Sequence, residues 1–256
     1  MTPECYSRIT QVLNQRQPDL TVITDEVHKG RNISAIMRTC DAVGIDTMHV
    51  VRPKAGYRHY NGTALGSHKW VDTELHDSVS DAITGLQEQS FQVVVAHLSD
   101  SAFDYQDIDY TKATALLVGT ENHGPSEDAL ALADAQITIP MVGMVGSYNV
   151  SVASAIILSE AYRQRKLAGL YDLVRLPKEV YQNRLFRWCH PVVADYCQKS
   201  NLAYPPLDEE GEIVDAPDWY RQARLTMAND RVTHNKENSN KASINSAEEA
   251  WNKYEV

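Results

Sequence analysis

The sequence predicts an α/β domain built on a mainly parallel sheet. Three observations predict it. From Asp19 onward, short β-rich runs alternate with segments of helical period, the signature of strands connected by crossover helices. Two of the runs, Gln92–Ala96 and Ala115–Val118, are continuous apolar, β-branched stretches of the kind that is covered on both faces of a sheet. No internal repeat overrides this alternation.

The elements follow in order. Residues 1–18 read as an amphipathic helical arm, with Ile9, Val12 and Leu13 on one face. Leu20–Ile23 is a strand. Asn32–Val43 is a helix, because Ile33, Ile36, Met37, Cys40 and Val43 share a face and Gly44 stands ready to end it; Asn32 is expected to cap its start. Thr47–Val51 is the next strand and Ser78–Gln89 the next helix. Ser126 caps a short helix whose first turn carries Glu127 and Asp128, where carboxylates complement the dipole, and Gln136–Ile139 forms a last strand. Val150–Gly169 is a long helix, apolar through Ile157 and basic in its last turn at Arg163, Arg165 and Lys166. Pro177–Ser200 is a further helical stretch, followed by a boundary at Tyr204-Pro205-Pro206. From about Asp230 the composition lacks core-forming residues and predicts a disordered tail, with AEEAWNKYEV as a nascent helix. The expected organisation is therefore an N-terminal arm (1–18), a central domain (19–169), a C-terminal helical arm (170–229) and a tail (230–256).

Composition bounds the function. The 256 residues suffice to bury one sizeable core. No signal-peptide pattern opens the chain and no stretch reaches the ~18 apolar residues of a membrane span, so a cytoplasmic protein without membrane attachment is expected. Cys5, Cys40, Cys189 and Cys197 form no CxxC pair and read as reduced thiols, and no metal site is expected. A net charge of −10 argues against a nucleic-acid partner. Its distribution softens that argument: residues 1–60 carry +2, 61–169 carry −9, 170–200 carry +2 and 201–256 carry −5. Basic segments on either side of an acidic middle leave room for a basic face within the fold or across a dimer, and equally for an ordinary solvated surface.

Three strand ends stand out, since ligands of open parallel sheets sit at the carboxyl ends of strands. They are Ala96-His97, the GTENHG loop from Gly119 to Gly124, and Ile139–Asn149, where Gly143 and Gly146 open the long helix. Taken alone, such a glycine loop is as well read as a plain connection. The GxGxxG and GxxxxGK[ST] fingerprints are absent, as are GxSxG and HExxH, and the nine histidines are dispersed. Asn32 and Arg38 lie six residues apart and so occupy different faces of their helix.

Taken together, Asn32–Thr39 (NISAIMRT), Leu117–Gly124 (LVGTENHG) and Ile139–Ala153 (IPMVGMVGSYNVSVA) resemble, in order and spacing, the three motifs of the TrmH-type SPOUT methyltransferases. RQPDLTV (Arg16–Val22), HLSD (His97–Asp100) and EDALALAD (Glu127–Asp134) further resemble the branch that methylates guanosine 18 of tRNA. The resemblance covers roughly residues 3–225. It implies a deep C-terminal trefoil knot, a homodimer, a tRNA substrate and S-adenosylmethionine as methyl donor. It further implies that Asn32, Arg38, Glu121, Ser147 and Asn149 form the catalytic cluster, and that Ala96, Gly119, Ile139 and Tyr148 line the donor pocket. Ala96 stands where relatives often carry threonine, and Tyr148 where they usually carry leucine; both contacts are expected to run through the main chain.

A guanidinium stays protonated in proteins, so Arg38 is expected to clamp an RNA phosphate and orient the ribose hydroxyl while the proton leaves through a phosphate oxygen or water. Arg8, Arg16, Lys29, Arg31 and the Arg175–Lys199 segment are the expected phosphate contacts. Three other readings fit the residues: 2′-O-methylation of another tRNA position or of ribosomal RNA, a non-catalytic RNA-binding module of the same fold, and a nucleotide-binding α/β protein, which the missing phosphate-loop fingerprints disfavour.

Overall fold

The computed structural model describes residues 1–53, 66–99, 101–121 and 123–224. The expected tail from Asp230 lies outside the described residues. The described chain forms two compact units, one spanning Arg8–Gln182 and the other Met1–Ser7 with the chain from Asn183.

The larger unit carries a seven-stranded sheet: β1 (Leu20–Thr24), β2 (Thr47–Val51), β3 (Asp72–His76), β4 (Gln92–Ala96), β5 (Phe103–Asp104), β6 (Thr114–Val118) and β7 (Ala135–Thr138), in the order β3-β2-β1-β6-β4-β7-β5. Every pairing is parallel. β1 and β6 are buried at every position, which explains their predominance of apolar and β-branched residues; Thr21 inside β1 donates its hydroxyl to the Thr47 carbonyl at 2.7 Å. Helix α2 (Gly30–Ala42) packs Ile33, Ile36, Met37 and Cys40 on one face of the sheet, together with α5 (Val150–Leu167) through Ile157, Leu158 and Ala161. Helices α3 (Val79–Glu88) and α4 (Glu127–Leu132) cover the other face through Ile83, Leu86 and Ala129. Ser126 caps α4 as expected, accepting from the Ala129 amide, and Ser78 caps α3 in the same way through the Asp81 amide. Gly44 ends the α2 region at φ +84°, where a Cβ would also sit 2.8 Å from the Gln15 carbonyl.

Several expectations are corrected. Asn32 is not the N-cap of α2: the helix starts at Gly30 after Lys29, and the Asn32 side chain points elsewhere. β3 went unrecognised because DTELH lies at the sheet edge with no fully buried position, so it carries no apolar run. β5 is only two residues long. Ile139 lies one residue beyond β7. Arg165, read as part of the basic last turn of its helix, is fully buried; it pairs with Asp19 and donates to Gln17 Oε1 at 3.1 Å and the Tyr110 carbonyl at 2.9 Å. Burial lowers the pKa of its guanidinium, and Asp19 opposes that shift.

The RQPDLTV stretch is thereby structural. Arg16 is buried, donating to the Ile45 carbonyl and to Asp41, each at 2.7 Å; Gln17 donates to the Gln15 and Leu170 carbonyls; Asp19 holds Arg165 and, at 2.6 Å, Arg175. Helix α1 (Pro3–Asn14) buries Ile9 and Leu13.

The helical stretch expected as one piece divides into α6 (Lys178–Cys189) and α7 (Pro191–Lys199). Pro191 has no amide hydrogen to donate and drives His190 out of helical geometry, to φ −129°, ψ 61°. Phe186 stacks on Tyr204 with ring centres 4.6 Å apart. All four cysteines are free, and burial pushes the Cys40 thiol upward, away from the reactive thiolate.

Candidate active site

The carboxyl ends of β4, β6 and β7 and the start of α5 enclose a cavity of about 260 Å³. Val118, Ile137, Val150 and Ile157 give it apolar walls, and Thr120, Glu121, His123 and Ser147 place polar groups on it. Ala96, Gly119, Ile139 and Tyr148, the four residues assigned to the donor pocket, all line it.

Two features shape the cavity. The loop after β6 folds back on itself through paired hydrogen bonds between Thr120 and Gly124, at 3.0 and 2.9 Å, and Gly124 adopts φ +71°. Gly119 makes this possible, since a Cβ there would lie 2.2 Å from the Gly124 carbonyl carbon and the Pro125 nitrogen. The loop is anchored to β1 by Asp25, which accepts from the Ser126 amide at 2.7 Å. The second feature is the segment from Pro140 to Asn149, which has no helix or strand and exposes Val142, Met144 and Val145.

At the cavity, Glu121 gathers three donors. Asn149 Nδ2 reaches Oε1 at 2.7 Å, Asn32 Nδ2 shares that oxygen, and Lys29 Nζ pairs with Oε2. Asn149 is also the N-cap of α5, its Oδ1 accepting from the Ser151 amide at 2.9 Å and the Ser151 hydroxyl at 2.6 Å. Three of the five residues expected to form the catalytic cluster are thus in one hydrogen-bonded group drawn from α2, the β6 loop and α5. Ser147 borders the same cavity. Arg38 does not join the group: it is exposed further along α2 and has no hydrogen-bond or ion-pair partner among the described residues.

Of the expected phosphate contacts, Arg8 and Arg31 are exposed, and Lys29 is engaged by Glu121. Arg16 is excluded by full burial, and Arg175 is held by Asp19. Sequence reasoning missed the bond between Lys29 and Glu121, and it missed Val150, Ala153 and Ile157 as cavity wall. The spacing of that trio, three and four residues on one helix, was the available signal.

The SpoU rRNA Methylase family model matches residues 19–159, and the SpoU rRNA methylase C-terminal model matches residues 163–216. The tRNA (guanosine(18)-2′-O)-methyltransferase of Escherichia coli K12 is 46% identical over 222 residues, which is 86% of this chain and 97% of that protein. Among solved structures, the A. aeolicus TrmH/SpoU tRNA modifying enzyme is similar with a TM-score of 0.69 at 40% identity, covering 72% of this chain and 94% of that one. The SpoU methyltransferase AviRb from Streptomyces viridochromogenes, in complex with AdoMet, matches with a TM-score of 0.54 at 27% identity over 59% of this chain and 62% of its own. With both models matched in order and a relative aligned over nearly its whole length, the chain belongs to the SpoU methylase family.

Proposed function

We propose that this protein transfers a methyl group from S-adenosylmethionine to the ribose 2′-hydroxyl of guanosine 18 in the tRNA D-loop. The observation that carries the reading is the alignment with the E. coli guanosine-18 enzyme, whose 222 residues extend beyond the segment 19–159 that the methylase model matches.

The cavity suits the methyl donor. Its apolar walls from β6, β7 and α5 would accept a flat base, and Gly119 and Ile139 on its lining would hold the donor through main-chain groups. When bound in this cavity, the donor would supply an electrophilic methyl group. The chain's own residues then position the hydroxyl. Arg38, exposed and without a described partner, is available to grip an RNA phosphate in two-pronged fashion and hold the ribose in line. Glu121 already accepts from Asn32, Asn149 and Lys29, which suits an organiser of the site better than a proton acceptor. The proton leaves through a phosphate oxygen or water, and Ser147 contacts donor or substrate at the cavity edge.

The same reading includes a homodimer, the trefoil knot and action in the cytoplasm. A second chain has a surface to cover: α5 presents Val152, Ile156 and Leu167 along a groove of about 980 Å³. Arg8 and Arg31 contribute the phosphate contacts, while Lys29 is engaged by Glu121.

Incubation with methyl-labelled S-adenosylmethionine and unmodified tRNA, followed by mapping of the labelled nucleotide, tests the proposal. Label at the guanosine-18 ribose is expected. Undiminished incorporation into a transcript with guanosine 18 replaced would assign the reaction to another site.

A further inference from the structure

Away from the cavity, β2 and the edge strand β3 place two imidazoles and a carboxylate together. His49 pairs in register with Glu74 and Val51 with His76, so the side chains of His49, Glu74 and His76 share one face of the sheet. His49 Nδ1 lies 2.9 Å from His76 Nε2. The Glu74 carboxylate straddles the pair, Oε2 standing 3.8 Å from His49 Nδ1 and Oε1 3.8 Å from His76 Nε2. A zinc ion at ~2.0–2.1 Å from tetrahedral ligands separates them by about 3.3 Å, a value these three distances bracket. We infer that His49, Glu74 and His76 form a binding site for a divalent transition-metal ion of the zinc class, tying the edge strand to the body of the sheet.

The donor set fits that class, because imidazole nitrogen with one carboxylate oxygen suits zinc, nickel or copper rather than calcium or magnesium. His49 is nearly buried and His76 mostly so, whereas Glu74 is exposed; the imidazoles are held by the sheet and the carboxylate is free to close from solvent. Burial favours the neutral, lone-pair-bearing form of His49, pushing it down to about 4. Three protein ligands leave a fourth position for water. The sequence held no recognisable pattern because His49 and His76 lie on different strands, with 26 residues between them. β1 separates β2 from β6 and the cavity, so occupancy is not expected to alter donor binding.

The test uses untagged, chelator-stripped full-length protein titrated with Co²⁺ and then Zn²⁺. The site predicts saturable Co²⁺ binding with the visible absorption of a four-coordinate ion, displacement by Zn²⁺, and a rise in melting temperature with Zn²⁺. Glu74→Gln alters an exposed group and leaves folding intact; it and His76→Gln should each weaken Zn²⁺ binding by at least about tenfold, with the circular dichroism and donor affinity of the parent retained. Absence of the Co²⁺ band, or Zn²⁺ affinity unchanged in both variants, would overturn the inference and leave the 2.9 Å contact as a hydrogen bond between neutral imidazoles.

Discussion

Asn149 does two tasks with one amide: its nitrogen donates to Glu121 at 2.7 Å while its oxygen accepts from the Ser151 amide at 2.9 Å and so starts α5. The helix cap and the site are therefore one structure. Asn149→Asp keeps the capping oxygen but sets a second carboxylate against Glu121, so its melting temperature should stay near the parent's while methyl transfer falls by about 10²-fold, read by single-turnover kinetics. Asn149→Ala should lose both, with about 1 kcal/mol of stability gone in denaturant unfolding. Equal activity in the parent and Asn149→Asp would separate the cap from the chemistry.

Gly119 admits no side chain. A Cβ would meet backbone atoms of Gly124 and Pro125 at 2.2 Å, and backbone, unlike the end of a flexible side chain, cannot swing aside. Gly119→Ala should destabilise the protein by about 1–3 kcal/mol and open the Thr120–Gly124 turn, abolishing measurable donor binding in calorimetry. Donor affinity within twofold of the parent's would show that the turn does not shape the cavity.

Arg38 has no described partner to lose, so Arg38→Lys should leave stability unchanged to within about 0.5 kcal/mol. Its effect should fall on turnover, by about 10²-fold, because an ammonium cannot reproduce the planar two-pronged grip on a phosphate. Near-full turnover in the lysine variant sinks the clamp.

Arg16 should behave in the opposite way. Fully buried and bonded to Asp41 and the Ile45 carbonyl, it should cost about 3 kcal/mol when replaced by alanine, since a carbonyl and a carboxylate lose their donor. The slope of tRNA affinity against salt concentration should not change, because no phosphate contact disappears; Arg8→Ala and Arg31→Ala should each make it shallower. A shallower slope in a folded Arg16 variant would restore it to the RNA-binding face.

The sequence by itself determined the sheet core and most helix boundaries, because the signals there are local. β1 and β6 are rich in apolar and β-branched residues since both faces are covered, and Ser78 and Ser126 cap helices through their own near neighbours. The second and third motifs supplied Gly119, Ile139 and Tyr148, which line the cavity, while Val150, Ala153 and Ile157 showed as cavity wall only in the fold. Tertiary structure alone decided which charges work in solvent. On sequence, Arg16 is expected at an RNA phosphate and Arg165 in a basic helix end, but Asp41 and Asp19, distant in the chain, pair with them in the interior. It also decided that Asn32 serves Glu121 rather than its own helix, and that His49, Glu74 and His76 meet at all. Those outcomes depend on strand order and register, and on the energetic need to pair every buried polar group with whatever partner the fold brings near.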